Sequence, residues 1–397
     1  MARLVLLLNC GSSSIKYQVS DADTEEVVAK GLVQKVGDVG VGTLDHEVGD
    51  QEFHIDQHFA NHTEALNTVL GMFREHGPDL DSVIAVGHRT VHGGRTFQKT
   101  TLINDEVVAK LKELFGLAPL HNPAGVAGIE AAVAALPDVP HVAIFDTSFF
   151  STLPAEAYSY AVDTELADQY GIRKYGFHGT SHDYVSATAG EFLGTTRDEL
   201  KIIVLHLGNG ASASAIDHGQ PVETSMGMTP LQGLVMGTRT GDIDPGLAAF
   251  LHRKLGWEVD EIDTWLNKKS GMLGLTGKTD MREVKALIDA GDEKAKAGVE
   301  VYVHRLLSYI GSYTAVLGGL DALVFTAGVG ENADWIRALV VERLAPFGVK
   351  LDADANAVRS KDPRAITTED SSVKVLVVPT NEELKMAREV VALIENS

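Results

Sequence analysis

Residues 4–16 read LVLLLNCGSSSIK, and residues 202–214 read IIVLHLGNGASAS. Each stretch is an apolar run, which predicts a buried strand, followed by a turn of Asn, Gly and Ser residues and then a second strand. Small residues let backbone N–H groups approach a phosphate closely, and the hydroxyl and amide groups add hydrogen-bond donors. The chain therefore contains the same kind of candidate phosphate-binding loop twice.

Two such loops in corresponding places indicate a duplicated fold whose halves clamp one nucleotide between them. The order of apolar strands and amphipathic helices along the chain belongs to the α/β class. We therefore predict a duplicated sugar-kinase/actin-like (ribonuclease H-like) fold of two domains, with the active site in the interdomain cleft.

Composition narrows the class of protein further. The chain has 397 residues, which suits two domains, and its 44% apolar and 22% charged residues are typical of a soluble globular protein. Its single cysteine, Cys10, cannot form an internal disulfide, and no apolar run suits a signal peptide or a membrane span. These features favour a cytoplasmic location. The net charge of −21 argues against nucleic acid and membrane partners.

Apolar periodicity predicts the elements of the two halves. In the first half we expect strands at 3–9, 15–20, 26–34, 82–91 and 141–145, and helices at 64–76, 105–116 and 124–136. In the second half we expect strands at 201–207, 212–217, 322–326 and 373–378, and helices at 245–255, 259–268, 280–290, 294–317 and 381–395. We predict an N-terminal domain of residues 1–150, joined by the C-terminal helix 382–397, and a nucleotide-binding domain of residues 151–381.

Three motifs do not carry the chemistry that they superficially suggest. Residues 271–279 read GMLGLTGKT, but five residues rather than four separate the two outer glycines, so the Walker A spacing fails. The dinucleotide fingerprint at 208–213 leads into a strand pattern where that fingerprint requires a helix. His178 and His182 have the spacing of zinc ligands, but no cysteine pair or third ligand lies nearby in the sequence.

Two arginines are candidate anion ligands, because an acidic chain that binds phosphate must concentrate a few cations at one place. Arg89 lies near the end of a predicted strand beside Gly93 and Gly94, where an ordinary surface arginine would look the same. Arg239 lies in a loop bounded by glycines, where pairing with a loop aspartate is the alternative.

His121 and His178 stand beside Gly and Pro residues, where a packed or capping histidine is about as frequent as a catalytic one. Asp146 follows a predicted strand, where ligands meet open α/β sheets, and an N-cap for the following turn is the less favoured alternative. Thr380 and Glu383 fit a capping box at the start of the last helix. Glu382 has no such explanation.

Taken together, these segments resemble the acetate kinase family through most of the chain. The resemblance rests on eleven uncommon strings: NCGSSSIKYQ, GHRTVHGG, APLHNPAG, FDTSFF, RKYGFHGTSH, HLGNGAS, ETSMGMTPLQG, MGTRTGDIDPG, NKKSGMLG, FTAGVGEN and PTNEE. One local departure is Cys10, where alanine is also usual in the family.

The resemblance implies reversible transfer of the ATP γ-phosphoryl group to acetate, which gives acetyl phosphate and ADP. The transfer would be direct and in line, with Mg²⁺ as cofactor and Mn²⁺ able to replace it. Acetate is already a carboxylate nucleophile, so the reaction needs positioning and charge neutralisation more than a strong base. Small-molecule substrates and a second copy of the chain, in a homodimer, are the expected partners.

The resemblance also implies a role for each candidate residue. The expected catalytic residues are Asp146, His178 and Arg239. The expected metal ligands are Asn9 and Glu382, with Asp146 assigned to the same metal and water shell. The expected acetate-binding residues are Arg89, His121, Val91, Leu120, Phe177 and Pro230. The expected ATP-binding residues are Ser12, Ser14, Lys16, His206, Leu207, Gly208, Asn209, Gly210, Asp280, Met281, Arg282, Gly328, Val329, Gly330, Glu331 and Asn332.

Two alternatives stay open at this point. A propionate kinase would use the same chemistry, because an apolar pocket discriminates one methylene by only about 1–3 kcal/mol. An ATP-switch protein of the actin or chaperone type would share the fold without phosphorylating a substrate. The arginines and histidines outside the nucleotide loops argue against a switch protein, which needs no second anion site.

Overall fold

The computed structural model describes residues 2–119 and 121–396. Contacts between residues divide the chain into two units. The first unit comprises Met1–Phe149 and Asn381–Ser397, and the second comprises Phe150–Thr380. No helix in the described part of the chain is long and apolar enough to cross a membrane.

The first unit is a mixed sheet with helices on both faces. Its strands are β1 (Leu4–Gly11), β2 (Ser14–Asp21), β3 (Val27–Gln34), β4 (Gly42–Val48), β5 (Gln51–Gln57), β6 (Val83–Thr90), β7 (Thr101–Leu102) and β8 (His141–Phe145). Its helices are α1 (His62–His76), α2 (Asp105–Glu113), α3 (Asn122–Ala135) and, from the end of the chain, α15 (Glu382–Glu395). The strand order is β5-β4-β3-β2-β1-β6-β8-β7.

The apolar run of β1 explains why the sheet is covered on both sides. Leu6 and Leu8 pack on one face in a core that includes Val69 of α1. Leu7 points to the other face, where it packs in a second core with Val390 of α15. Because successive side chains of a strand point to opposite faces, an apolar run without alternation requires this double cover.

The second unit is built around a smaller mixed sheet. Its strands are β9 (Lys201–Leu207), β10 (Ala211–Asp217), β11 (Gln220–Thr224), β12 (Ala322–Thr326), β13 (Arg364–Ala365) and β14 (Lys374–Val377). Its helices are α4 (Ala155–Tyr158), α5 (Thr164–Tyr170), α6 (Gly179–Phe192), α7 (Gly246–Leu255), α8 (Val259–Lys268), α9 (Gly271–Thr276), α10 (Met281–Asp289), α11 (Glu293–Leu317), α12 (Ala327–Asn332), α13 (Asp334–Glu342) and α14 (Ala353–Ala357). The strand order is β11-β10-β9-β12-β14-β13.

The two sheets share one topology, as the repeated loops predict. In the first unit β1 pairs antiparallel with β2 and parallel with β6, which is itself parallel to β8. In the second unit β9 pairs antiparallel with β10 and parallel with β12, which is parallel to β14. The third strand of each unit, β3 or β11, continues the antiparallel side. This repeated order confirms the duplicated α/β fold.

The sequence prediction missed elements whose local pattern is weak. The hairpin β4–β5 carries polar residues on much of its surface, so its apolar alternation is shallow. Helix α6 begins Gly-Thr-Ser-His, a composition that favours turns, yet it buries Val185 and Ala189. Tertiary burial overrides local propensity in that helix.

A buried histidine pair links two parallel strands of the first unit. His141 Nε2 lies 3.0 Å from the carbonyl of Leu136, so it must donate, and its Nδ1 then accepts from His88 Nε2 at 2.9 Å. Burial lowers the pKa of both imidazoles below the ordinary value of 6.5, and His141 lowers the pKa of His88 further. Both rings are therefore neutral in the folded protein.

This pair should make the first unit sensitive to acid. Below pH 6.5 the two histidines bind protons in the unfolded chain but stay neutral in the folded protein. The free energy of unfolding is therefore highest above this pH and decreases as the pH falls. The strongly shifted His88 should cost about 1 kcal/mol between pH 6.5 and pH 5.5, and the less strongly shifted His141 should add a smaller loss. We expect His88→Gln, which keeps a donor for His141, to lose less stability on acidification than the parent. Urea unfolding at several pH values measures this, and identical acid losses would contradict the assignment.

Candidate functional site

Parallel pairing brings three predicted residues of the first unit to one edge of its sheet. Leu8 of β1 lies opposite His88 of β6, so Asn9 and Arg89 are the next positions along the two strands. Asp146 follows β8, and its N–H donates to the carbonyl of Thr90 at 3.0 Å. The carboxyl ends of parallel strands meet at such an edge, which is where α/β proteins bind ligands.

Arg89 is clamped by acidic groups. Its Nε and Nη2 donate to the two carboxylate oxygens of Asp146 at 2.9 and 2.8 Å, which is bidentate pairing. Glu382, at the start of α15, places Oε2 3.9 Å from Arg89 Nη2. Asp146 is almost fully buried, and the Arg89 side chain is 23% exposed, so this guanidinium is fixed rather than a free surface group.

Lys16 and Glu383 form a second ion pair beside the first, and both line one pocket together with Asn9, Arg89 and Glu382. The predicted capping box of Thr380 and Glu383 is wrong. The N-cap of α15 is Asn381, whose side-chain oxygen accepts from the N–H of Leu384 at 3.0 Å. The carboxylate of Glu383 is thereby free to hold Lys16.

The donor set at this edge fits a divalent metal ion. Three carboxylates (Asp146, Glu382 and Glu383) face two cations (Arg89 and Lys16), so negative charge is in excess. Burial raises the pKa of Glu382, and the nearby charges of Asp146 and Glu383 raise it further, although Arg89 opposes this. Within the described residues no three His, Cys, Asp or Glu side chains form a complete metal cage. Mg²⁺ is commonly held by one or two carboxylates plus substrate phosphates, which this arrangement can supply.

Four other predicted residues of the first unit, Ser12, Ser14, Val91 and His121, lie in or next to segments that adjoin the ends of β1 and β6. Ser12 and Ser14 belong to the β1–β2 turn, in which Gly11 pairs with Ser14. Val91 directly follows β6 and is half-buried. His121 is the N-cap residue of α3, whose next residue Asn122 hydrogen-bonds both backbone groups of His92 at 3.2 and 3.0 Å. Leu120 lies outside the described residues.

In the second unit, the loop after β9 is faced by an imidazole and a guanidinium. A Cβ built on Gly210 would lie 3.4 Å from His178 Nε2 and 3.5 Å from Arg239 Nη1. Two N–H-bearing groups therefore converge on the space that Gly210 leaves open. His178 adopts a left-handed backbone conformation (φ 57°), which is uncommon for a residue other than glycine and is often found at functional sites.

Close approach of two loops fixes Arg239 beside Gly210. A Cβ on Gly237 would lie 1.9 Å from the side-chain oxygen of Asn209, so a larger residue there would displace the Asn209 amide. The N–H of Gly237 donates to the carbonyl of Asn209 at 2.9 Å. The segment 270–273, which the Walker-like pattern covers, donates backbone N–H groups to residues 236–238 and supports the loop from below.

Arg239 has no carboxylate partner among the residues that the structure describes. Asp242 instead accepts from Tyr309 at 2.8 Å and pairs with Arg305 at 3.4 Å, and Asp244 accepts from the N–H of Gly246. Arg239 Nη1 donates only to the carbonyl of Pro230, at 3.1 Å, and to the sulfur of Met236. Burial lowers the pKa of Arg239. A half-buried cation without a carboxylate partner is a strong candidate for binding an anion.

Three further predicted residues of the second unit differ in their surroundings, namely His206, Leu207 and Phe177. The ring of His206 stacks on that of His178 with centroids 4.3 Å apart, and its Nδ1 contacts Ser181 Oγ at 2.8 Å. The side chains of Leu207 and Phe177 are buried in the core. Leu207 can therefore offer a ligand only its backbone.

A cleft of about 810 Å³ extends from this loop. Its predicted lining residues are Gly208, Asn209, Asp280, Met281, Arg282, Gly328, Val329 and Asn332. Sequence reasoning missed five polar or aromatic members, Thr279, Lys285, Asp334, Trp335 and Arg359. Asp280 is also the N-cap of α10, and its pairing with Arg282 lowers the pKa of its carboxyl to about 2. The N-cap interpretation and the cleft position are therefore compatible.

Gly330 and Glu331 do not line the cleft but support it. Glu331 Oε1 accepts from the N–H groups of Ala327 and Thr380 at 2.9 and 3.1 Å. Behind them lies Arg337, which is 1% exposed and was missed by the sequence analysis. Its Nη1 donates to the carbonyls of Gly330 and Glu331 at 2.9 Å each, and its Nε and Nη2 bond to Asn356. Burial lowers its pKa to about 10.

The duplicated sheet topology, the glycine loop faced by an imidazole and a guanidinium, and the acidic edge define a phosphotransferase of the sugar-kinase/actin type. Comparisons with known proteins agree with this class. The model of the acetokinase family matches residues 4–388. The acetate kinase of Clavibacter michiganensis subsp. michiganensis is 50% identical over 391 residues, which cover 98% of each chain.

Solved structures give the same result. The acetate kinase of Porphyromonas gingivalis aligns with a TM-score of 0.93 and 41% identity, covering 99% of this chain and 100% of that one. A propionate kinase from Francisella tularensis aligns with a TM-score of 0.93 and 40% identity over the same shares. The chain belongs to the acetokinase family. It is a kinase that uses ATP and a divalent metal ion.

Arg337 should hold the Gly328–Asn332 segment in its binding geometry. We expect Arg337→Lys to lower stability by about 2 kcal/mol or more, because a lysine leaves buried carbonyls unpaired. ADP binding should weaken in parallel. Arg343→Lys is the matched control, since Arg343 follows the same helix but is exposed and pairs with Glu300. Thermal melting and titration calorimetry with ADP measure both effects, and equal behaviour of the two variants would refute this role.

Proposed function

We propose that this kinase transfers the γ-phosphoryl group of ATP to acetate, reversibly, to give acetyl phosphate and ADP. The observation that carries this proposal is that His178 Nε2 and Arg239 Nη1 converge over Gly210. Among the described residues, this arginine has no carboxylate partner. Such donors neutralise charge on a transferring phosphoryl group. A non-catalytic ATP switch has no need of them.

The two units would divide the work. The second unit would bind the nucleotide, with the phosphates at Gly208–Gly210 and the adenosine in the cleft formed by Asp280–Arg282 and Gly328–Asn332. The first unit would bind acetate, with Arg89 and His121 supplying the polar contacts. Val91 and Leu120 would supply apolar contacts to the methyl group, whereas Phe177 and Pro230 belong to the second unit, and the Phe177 side chain is buried in its core.

The reaction needs no covalent enzyme intermediate. A carboxylate oxygen of acetate forms the new bond to the γ-phosphorus while the bond from that phosphorus to the oxygen of ADP breaks. Arg239 and His178 would donate hydrogen bonds to the phosphoryl oxygens during this exchange. Arg89, already orientated by Asp146, would offer the remaining donors of its guanidinium to the acetate carboxylate.

We propose Mg²⁺ as the metal ion, with Mn²⁺ able to replace it, held by Asn9, Glu382 and Asp146. The excess of carboxylates over cations at this edge supports the assignment. Once bound, the ion would neutralise part of the charge on the phosphate oxygens. Ser12, Ser14 and Lys16 would contact the same phosphates, with Lys16 held by Glu383.

Acetate is favoured as the acceptor by the many relatives named acetate kinase, whereas propionate is the second candidate because one solved neighbour is a propionate kinase. A panel with acetate, propionate, glucose or no acceptor, with hydroxylamine to trap the acyl phosphate, tests the proposal. Acetate should give the highest kcat/KM. Hydroxamate formation with neither acid would refute the proposed reaction.

Two further proposals concern the setting of the enzyme. We propose a homodimer, which is supported by the exposed Val301 and Val316 on the long helix α11 and is testable by analytical ultracentrifugation.

We also propose a cytoplasmic location. The only cysteine, Cys10, is shielded, and burial raises its pKa to about 12, so the chain gains nothing from an oxidising compartment.

Glu382 and Glu383 are adjacent carboxylates for which we propose different tasks. Glu382→Gln should raise the Mg²⁺ concentration for half-maximal activity by roughly 10-fold or more, because a metal ligand loses its charge. Glu383→Gln is the matched control and should chiefly release Lys16, with a smaller effect on the Mg²⁺ requirement. Titration of activity with Mg²⁺ distinguishes them, and equal shifts in both variants would remove Glu382 from the metal site.

Arg239→Lys keeps the positive charge but loses the planar fork that can reach two phosphoryl oxygens. We expect kcat to fall by at least ~10²-fold with little change in the KM for ATP, the pattern of an interaction made mainly in the transition state. The exposed Arg253→Lys is the control and should leave both constants unchanged. Steady-state kinetics and the melting temperature on the same preparations decide the matter. A kcat within a few-fold of the parent would exclude a catalytic role for Arg239.

A further inference from the structure

A chain of hydrogen bonds runs through three buried side chains and ends at the half-buried His178. Ser214 Oγ lies 2.7 Å from His182 Nδ1, and His182 Nε2 lies 2.7 Å from Ser212 Oγ. Ser212 Oγ in turn lies 2.9 Å from His178 Nδ1. Ser212, Ser214 and His182 are each 0% exposed, so water supplies none of their partners. Which group donates and which accepts in each of these hydrogen bonds is therefore determined by the four side chains themselves.

His182 contributes a single N–H to this chain. Burial lowers the pKa of His182 well below its ordinary value, and the neighbouring His206 lowers it further. The ring is neutral, so one nitrogen donates and the other accepts. Two directions remain, since the ring can donate either to Ser212 or to Ser214.

Ser214 selects between the two directions. Within the described part of the chain, the hydroxyl of Ser214 has one hydrogen-bond partner, His182 Nδ1. If His182 donated to it, the hydroxyl hydrogen of Ser214 would be buried without an acceptor, which is costly. If Ser214 donates, every group is paired: His182 Nε2–H donates to Ser212, and Ser212 donates to His178 Nδ1. His178 Nδ1 is then an acceptor and carries no proton.

We propose that Ser214, His182 and Ser212 are positioning residues that hold His178 as a neutral imidazole with its proton on Nε2. That nitrogen faces the space over Gly210 together with Arg239 Nη1. An Nε2–H group can donate to a phosphoryl oxygen, whereas the opposite tautomer would turn a lone pair towards an anion. The proton placement stands on this geometry, and its use in phosphoryl transfer rests on the proposed function.

The surroundings of His178 agree with a neutral ring. The His206 ring stacks on it at 4.3 Å, and the positively charged Arg239 faces the same glycine. A second positive charge on His178 would be repelled by Arg239. Ser212 could not accept from a protonated Nδ1 while also donating to it, so charging His178 would require the whole chain to reverse.

Nitrogen-15 NMR of the full chain, labelled on its histidines, tests the proton placement directly. The His178 signals are assigned by their loss in His178→Gln. We expect the shifts of a bare Nδ1 and a protonated Nε2 at neutral pH. A protonated Nδ1, or a doubly protonated ring, would overturn the proposal. This measurement needs no turnover, so a protonated Nε2 in a protein that fails to phosphorylate acetate would refute the proposed function alone.

Ser214→Ala removes the group that sets the direction. Either tautomer of His182 then leaves one ring nitrogen unpaired, so we expect both tautomers of His178 to be populated. The kcat should fall roughly two-fold or more with the KM for ATP unchanged, in proportion to the lost Nε2–H population. Ser214→Thr, which keeps a hydroxyl, should restore the single tautomer.

The control is Ser186→Ala, a serine that is also 0% exposed but contacts Asp183 and Arg197 rather than the chain. It should leave the His178 tautomer unchanged. An unaltered single tautomer in Ser214→Ala would show that Ser214 does not set the direction and would overturn its positioning role. If the variant does not fold, the measurement on the parent protein still decides where the proton lies.

Discussion

Parallel pairing of the central strands is the constraint on which the candidate site depends. Three strand ends in each unit arrive at one edge of a sheet, because β1, β6 and β8 run in the same direction, as do β9, β12 and β14. Residues far apart in sequence, such as Asn9, Arg89 and Asp146, become neighbours without any contact that local sequence encodes. A change of one residue in register would turn their side chains to the opposite face of the sheet.

The two units share one sheet topology, but the side chains at their strand ends differ in charge. The edge of the first unit has more carboxylates than cations, which suits a metal ion and fixes Arg89. The loop edge of the second unit has glycines, imidazoles and the carboxylate-free Arg239, which suits phosphate. The duplicated fold thus provides two similar sheets, and the side chains at the strand ends determine which ligand each sheet can bind.

The chain carries a net charge of −21, and its arginines at or near the candidate site are each held by a different set of partners. Arg89 is held by two carboxylate oxygens, whereas Arg337 is held by backbone carbonyls and an asparagine. Among the residues that the structure describes, Arg239 has no carboxylate partner and donates to one backbone carbonyl, that of Pro230, and it is the arginine that faces the glycine loop. The three arginines therefore differ in their partners, which the local sequence does not show.

The sequence by itself determined the repeated strand-turn-strand units, the α/β class and the family, since these rest on local apolar runs and on strings of adjacent residues. It also identified Arg89, Asp146, His178 and Arg239 as candidates. It could not find Arg337, or the chain from Ser214 to His178, because these act through partners brought together only by folding. It misassigned the cap of the last helix, since Asn381 and Thr380 are equally good caps by composition and only the backbone path decides which one reaches the free N–H groups. Local chemistry thus specified which residues could act, and tertiary packing decided what each one touches.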